Sequence, residues 1–192
     1  MNKETEKASE NILSKEKKSS FLKDFILPLV IGLIIVYLLR VFVFGLYYVP
    51  SGSMIPHLEI NDHVFATKFS YQLHDPKRYD VIVFDYPVEY KENGKEVRYV
   101  KRLIGLPNET VEIKNNEIYI NGKVIEDSFR ANDTDMSDFG PVTVGENEFF
   151  MMGDNRNHSN DSRIWGTVPR ELLIGKVQLI YWPINRIGLM NK

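Results

Sequence analysis

Ile118-Tyr119-Ile120-Asn121-Gly122-Lys123-Val124-Ile125 reads as two short β-branched runs joined by Asn-Gly. Both central residues of a two-residue type I′ turn take positive φ, which Asn and Gly tolerate best, so the stretch predicts a hairpin over residues 117–125. The same grammar recurs on either side. Runs at 63–69, 80–86, 97–104, 110–113, 148–152 and 175–182 are short, rich in alternating or β-branched residues and bounded by Gly, Pro, Asn or Asp. They predict six further strands, and with no long amphipathic helix among them the body is expected to be a mainly β, antiparallel sheet or barrel-like domain. Two stretches read as excursions from it: 87–96, with Asn93-Gly94 at a tip, and the polar 126–145.

Upstream the pattern is different. Positions 25–44 carry one charge, Arg40, and twenty helical residues at about 1.5 Å each span ~30 Å, one hydrocarbon core. Arg40 lies toward the C-terminal end, where a long side chain snorkels to the headgroups. A cleaved leader is the competing reading, but the apolar run exceeds the 7–15 residues of such a segment and bulky Leu46, Tyr47 and Tyr48 follow it. The expected organisation is therefore a solvated tail over 1–24, a single transmembrane anchor over 25–45 and a β body over 46–192. Six lysines precede the apolar run, and the first basic residue after Arg40 is Lys68. This asymmetry puts the N-terminus in the cytoplasm and the body across the membrane. Tyr47, Tyr48 and Phe42 fit an interfacial aromatic belt, and Ser53 follows Phe44 closely enough to stay within ~30 Å of the bilayer.

The 192 residues include no cysteine, and 24 Lys+Arg against 26 Asp+Glu give a formal charge of -2. Thiol nucleophiles, disulfide frameworks and cysteine-ligated metals are excluded. A near-neutral balance gives no field that would draw the domain to nucleic acid. His57, His63, His74 and His158 form no His-x-x-x-His pair, so neither a metal nor a cofactor is expected.

Three segments stand out from the β grammar by their density of polar and turn-forming residues. Pro50-Ser51-Gly52-Ser53-Met54-Ile55-Pro56 sets two hydroxyls around a glycine, which suits an oxyanion hole and equally an ordinary turn. In Tyr99-Val100-Lys101-Arg102-Leu103-Ile104-Gly105-Leu106-Pro107, strand alternation places Lys101 beside apolar residues, where its ammonium loses hydration and the neutral amine becomes available as a base. An edge-strand lysine that snorkels to water is the plainer alternative. The stretch from Gly153 to Gly166 packs carboxylates, guanidiniums and hydroxyls into one loop able to satisfy itself by charge-assisted bonds.

Taken in order behind an anchor, the three segments resemble the bacterial type I signal peptidases, in their compact single-anchor form. Ser51 to Pro56 matches the family's Ser-x-Ser-Met with a following Pro, and Lys101 to Pro107 its Lys-Arg-x-Ile-Gly-Leu-Pro. Gly153 to Gly166 matches its Gly-Asp-Asn-Arg, Ser, Asp-Ser-Arg, Trp-Gly pattern. The resemblance implies a membrane-bound serine endopeptidase that removes signal peptides from secretory preproteins through an acyl-enzyme, with Ser53 as nucleophile and Lys101 as general base. It further implies Ser51 as an oxyanion donor, Ser159 as the residue orienting the lysine, and Arg102, Asp154, Arg156, Asp161 and Arg163 as braces of the site. Partners would be preproteins and the lipid bilayer. Three departures appear: His57 where Thr is usual, Asn108-Glu109 for Gly-Asp, and Tyr79 for Gly. The alternatives are a different, self-processing Ser/Lys protease, a histidine-based hydrolase, and a non-catalytic anchored β domain that binds surface ligands.

Overall fold

The computed structural model describes residues 22–190 apart from residue 95 and residues 132–134. The tail expected over 1–24 lies, up to residue 21, outside the described residues. The chain divides into two units, residues 1–43 and 44–192.

In the first unit a π-helical turn, Leu22–Ile26, leads into α1 (Leu27–Phe42). Pro28 sits in the first helical turn, where its missing N–H costs nothing. Among the described residues no helix is long and apolar enough to cross a membrane. The 16 residues of α1 reach ~24 Å, short of the ~30 Å of a hydrocarbon core. The anchor expected over 25–45 is thus not one α-helix. Its last two residues are corrected outright: Phe44 and Gly45 begin a strand, because their backbone groups pair with Thr67 and Ala66.

The second unit is mainly β. Its strands are β1 (Phe44–Tyr48), β2 (His63–Thr67), β3 (Val81–Asp85), β4 (Arg98–Gly105), β5 (Thr110–Lys114), β6 (Glu117–Ile120), β7 (Lys123–Val124), β8 (Phe139–Thr143), β9 (Glu148–Met152), β10 (Val168–Pro169), β11 (Leu173–Trp182) and β12 (Gly188–Leu189). Short helices α2 (Ser70–Leu73), α3 (Pro87–Asn93) and α4 (Ser162–Trp165) lie between them. The larger sheet runs β1-β2-β11-β3-β4-β9-β10 with β12 on β11, and the smaller runs β7-β6-β5-β8. All pairings among the described residues are antiparallel. Both sheets have free ends, so the barrel-like body is open rather than closed.

All seven expected strand regions are present, and the hairpin forms as read: Asn121 and Gly122 have φ 50° and 76°. The excursion over 87–96 contains α3, ended by Gly94 in the left-handed conformation. That over 126–145 contains β8.

Three apolar clusters position the site. Val49, Met54 and Leu58 enter a core with Val64, Ala66, Val81, Val83, Val177 and Ile180, so the loop between β1 and β2 is anchored by its own side chains. Ile82, Phe84, Leu103 and Met151 belong to a second core. Ile104, Phe150 and Met152 pack with Val111, Ile113 and Ile118 of the smaller sheet. At 25 cal/mol per Å² of apolar surface, each fully buried aliphatic or aromatic side chain contributes about 1.5–3 kcal/mol, so β4 and β9 are stiff mounts for the polar residues they carry.

Candidate active site

Ser53 sits on the loop joining β1 to β2. Apolar Met54, 1% exposed, plugs into the core immediately behind it, which leaves the serine hydroxyl at the surface of a cavity. Lys101 lies on β4 opposite Ile82 of β3. Its side chain is 4% exposed, and Nζ lies 2.5 Å from Ser53 Oγ and 5.5 Å from the centre of the Tyr99 ring. Burial pushes the amine down to about 8; the Asp161 and Asp154 carboxylates oppose this, and Arg163 assists it. Desolvation wins because a buried ammonium loses more hydration than two carboxylates, each paired with an arginine, return.

The bracing residues form a closed network around Gly153–Asn155. Arg102 and Asp154 are both fully buried and pair twice, Nε to Oδ1 at 2.8 Å and the terminal nitrogen to Oδ2 at 2.7 Å. The guanidinium also donates to the Tyr79 carbonyl and lies 4.0 Å from the centre of the Phe129 ring. Asp161, also fully buried, accepts from the Gly153 amide at 3.0 Å, from Arg163 through Nε and a terminal nitrogen at 2.8 Å each, and caps α4 by accepting from the Arg163 amide. Arg163 donates onward to the Arg156 carbonyl at 2.6 Å. Arg156 itself donates to the Gly153 carbonyl and pairs with Asp127 through both terminal nitrogens. Every one of these buried charges has an opposite partner, as burial demands.

Ser51 Oγ is 3.4 Å from Ser53 Oγ, so both serines of the first segment share one point. Ser159 is brought to the same region, with 9% exposure, but its hydroxyl is buried without a hydrogen-bond partner among the described residues. The bond expected from Ser159 to the lysine amine is not made here. Gly153 explains the tightness of the packing: a Cβ there would collide with Ser159 Oγ and with the Ser53 carbonyl.

Sequence reading missed several contributors. Asn155 fastens the Ser53 loop, its backbone amide donating to the Ser53 carbonyl at 3.1 Å and its side chain to the Gly52 carbonyl at 3.0 Å. Its place inside Gly-Asp-Asn-Arg was the available signal. Phe129 and Asp127 lie in the 126–145 excursion and gave none. Asp62, buried, is held by Arg186 through Nε at 2.8 Å and a terminal nitrogen at 3.0 Å, which ties the foot of the loop to the C-terminal end. The departures also find their places. Asn108 has φ 64°, the left-handed value that a glycine would supply. Tyr79 has φ 75°, an outlier for a bulky residue, and its ring and hydroxyl make contacts no glycine has, with Phe129 at 5.1 Å and the Glu126 carbonyl at 2.8 Å.

A cavity of about 610 Å³ opens beside Ser53 and Lys101. Leu46, Tyr47, Val49, Met54, Val83 and Tyr99 give it apolar walls. His57 contacts Asp154 and His63 lies between the rings of Tyr48 and Tyr181. Among the described residues no group of three or more His, Asp or Glu side chains is placed to hold a metal ion.

A serine hydroxyl on a buried amine, beside an apolar cleft and on an antiparallel β scaffold, is the equipment of a Ser/Lys hydrolase. The sequence profile of the signal peptidase family, peptidase S26, matches residues 22–182, and the chain belongs to that family. It is 37% identical over 177 residues to signal peptidase I of Leptolyngbya laminosa, covering 91% of this chain and 87% of that one. It is 38% identical over 185 residues to signal peptidase I P of Bacillus subtilis subsp. natto, covering 90% and 95%. A solved signal peptidase I from Enterococcus faecalis V583 is 33% identical, covers 54% of this chain and 97% of its own, and has a TM-score of 0.44.

Proposed function

We propose that this enzyme, a serine endopeptidase of the signal peptidase family, cleaves signal peptides from translocated preproteins with Ser53 as nucleophile and Lys101 as its base. The observation that carries the reading is the 2.5 Å contact between Lys101 Nζ and Ser53 Oγ, made by an amine that burial holds at about 8. A lysine in water is almost wholly protonated at neutral pH; this one has an appreciable neutral fraction, whose lone pair accepts the serine proton.

The scissile carbonyl enters beside Ser53, and Oγ bonds to its carbon as its proton passes to Nζ. The negative charge that develops on the carbonyl oxygen falls to donors at this point of the loop, the Ser53 amide and the Ser51 hydroxyl. Collapse breaks the C–N bond, and the ammonium of Lys101 returns the proton to the departing amine, which becomes the new N-terminus of the mature protein. Water then adds to the ester with Lys101 again taking a proton, and the signal peptide leaves as a carboxylic acid. An extended peptide suits the apolar cleft, and β1 ends the larger sheet, a free edge on which a strand can be added. Arg102, Asp154, Arg156, Asp161 and Arg163 brace the dyad, and Ser159, whose hydroxyl has no hydrogen-bond partner among the described residues, is the residue assigned to orient the amine.

The apolar stretch that contains the π turn and α1 is proposed as the membrane anchor. Residues 23–40 are exposed throughout, and an apolar helix exposed on all sides is a lipid-facing one. The lysines preceding it put the N-terminus in the cytoplasm and the catalytic unit on the outer side. Cleavage of a preprotein by the detergent-solubilised full chain tests the assignment. Wild type is expected to release the mature protein, and Ser53→Ala none; a Ser53→Ala variant that still cleaves overturns it.

A further inference from the structure

Gly45 and Tyr47 stand two residues apart on β1 and so share one face of the strand. Across the β1–β2 pair Gly45 is opposite Ala66 and Tyr47 opposite Val64, both fully buried. Tyr47 lays its ring back over Gly45: a Cβ on residue 45 would run into the ring, 2.5 Å from the hydroxyl oxygen and 2.7 Å from Cζ. These distances are far inside van der Waals contact. Gly45 is not among the residues with positive φ, so the ring, rather than the backbone, is what requires a glycine here. Tyr47 packs against the core cluster that contains Val64, Ala66 and Val83.

The same ring is a wall of the cavity beside Ser53 and Lys101, together with Val83, Arg98 and Tyr99. Burial raises the pKa of the Tyr47 hydroxyl and the Arg98 guanidinium opposes this, which places the two at one end of the cavity. Arg98 is fastened there by Asp85 and Glu96. It precedes Lys101 on β4 by about three residues' rise, ~10 Å at about 3.3 Å each. An extended peptide rises by the same step, so a side chain that reaches Tyr47 belongs to a residue about three places from the bond at Ser53. Signal peptides end in an A-x-A-like stretch, with small residues at the first and third places before the cut. Behind the ring Val64, Ala66 and Val83 are fully buried, and the open volume in front of it is the cavity. A ring lifted off β1 therefore moves into the cleft.

Resting on the signal-peptide reading above, we propose that Gly45 is a specificity-determining residue: by leaving room on β1 for the Tyr47 ring, it sets how large a side chain the cleft admits at the third residue before the scissile bond. A side chain at position 45 lifts the ring into the cleft and tightens that limit, and removal of the ring relaxes it.

The test is cleavage by the full chain in detergent of four preproteins that differ only in Ala, Ser, Val or Leu at that place. It is read as kcat/KM for wild type, Gly45→Ala, Tyr47→Ala and the double variant, with melting temperature measured alongside. Gly45→Ala is expected to lose about tenfold or more on the Val and Leu substrates relative to the Ala substrate, the discrimination that a pocket exerts against one or two extra methylenes. Tyr47→Ala is expected to gain on them by a similar ratio. The double variant follows Tyr47→Ala, since the added methyl then has no ring to lift. If Gly45→Ala loses its fold, Tyr47→Ala carries the test alone. A Gly45→Ala enzyme with wild-type substrate ratios, whatever its rate, overturns the proposal. So does a Tyr47→Ala enzyme with those ratios, or a double variant as restricted as Gly45→Ala. The signal-peptide reading fails separately, if Ser53→Ala still cleaves the Ala substrate.

Discussion

Lys101 Nζ meets Ser53 Oγ at 2.5 Å although 48 positions separate the two residues in the chain. The contact depends on two rigid mounts. Met54 and Leu58 pin the loop of Ser53 into one core, while Lys101 is fixed by pairing of β4 with both β3 and β9. Neither residue reaches the other by a flexible tether, so the side-chain entropy of a long lysine is lost on folding rather than at each turnover.

Holding an ammonium in that place costs stability, with a definite sign. Below about pH 8 the folded and unfolded chains both bind the Lys101 proton, and the folded state bears the full cost. Between about 8 and the ordinary 10.5 the unfolded chain binds a proton that the native state has released, so stability rises with pH; above that window the cost is gone. Lys101→Met is therefore expected to raise unfolding free energy by about 1–3 kcal/mol at pH 7, after loss of the serine contact, with the gain shrinking toward pH 10.5. Urea denaturation at the two pH values measures it.

Asn155 carries part of the loop's placement in its side chain. Asn155→Ala removes the donor to the Gly52 carbonyl but leaves the backbone bond to Ser53 intact. The expected result is a folded enzyme with kcat reduced about fivefold to thirtyfold, read from steady-state cleavage with a melting curve as control.

Gly153 has no room for a side chain. A methyl group there meets Ser159 Oγ and the Ser53 carbonyl, and the backbone carbonyl cannot yield without shifting the Ser53 loop. Gly153→Ala is expected to lower kcat/KM by at least about a hundredfold and to destabilise by about 1–3 kcal/mol. Gly94→Ala, in open space at a turn, is expected to cost only the about 1 kcal/mol of its left-handed backbone and to leave kcat unchanged.

Breaking the buried pair is expected to be worse than altering either catalytic group. Arg102→Ala leaves Asp154 charged, fully buried and facing His57 alone, a change expected to cost about 3–5 kcal/mol and visible as a lower denaturant midpoint. Ser53→Ala should leave that midpoint almost where it was.

Much of this was legible in the chain before folding, for local reasons. Asn121-Gly122 announces its turn because positive φ at two successive residues admits few alternatives. The strands at β2, β3, β4 and β9 are visible because both the alternation and the bounding turn residues are intact. β1 was hidden because Phe44 to Tyr48 continue an apolar run, and hydropathy does not reveal where a helix hands over to a sheet. β8 and β10 contain Pro141 and Pro169, which argue against a strand unless it lies at an edge, as both do. In the candidate site, Ser53, Lys101 and the Gly153–Asn155 run stand out by their motifs, and the fold brings them together. Phe129, Asp127 and Arg186 were not, since an aromatic cap and a long-range ion pair depend on tertiary contacts that spacing does not encode. Tyr79 was unreadable for the opposite reason: its positive φ runs against its residue type, and only its contacts with Glu126 and Phe129 show what offsets the strain.

The central claim, that Lys101 in its neutral form is the base for Ser53, is tested most directly by the pH dependence of kcat/KM for preprotein cleavage, in wild type and in Lys101→Ala. Wild type is predicted to rise along a single acid limb centred near pH 8 and then level, with Lys101→Ala lower by about a thousandfold or more at every pH. A Lys101→Ala enzyme that cleaves at a wild-type rate, with the same limb, would contradict it.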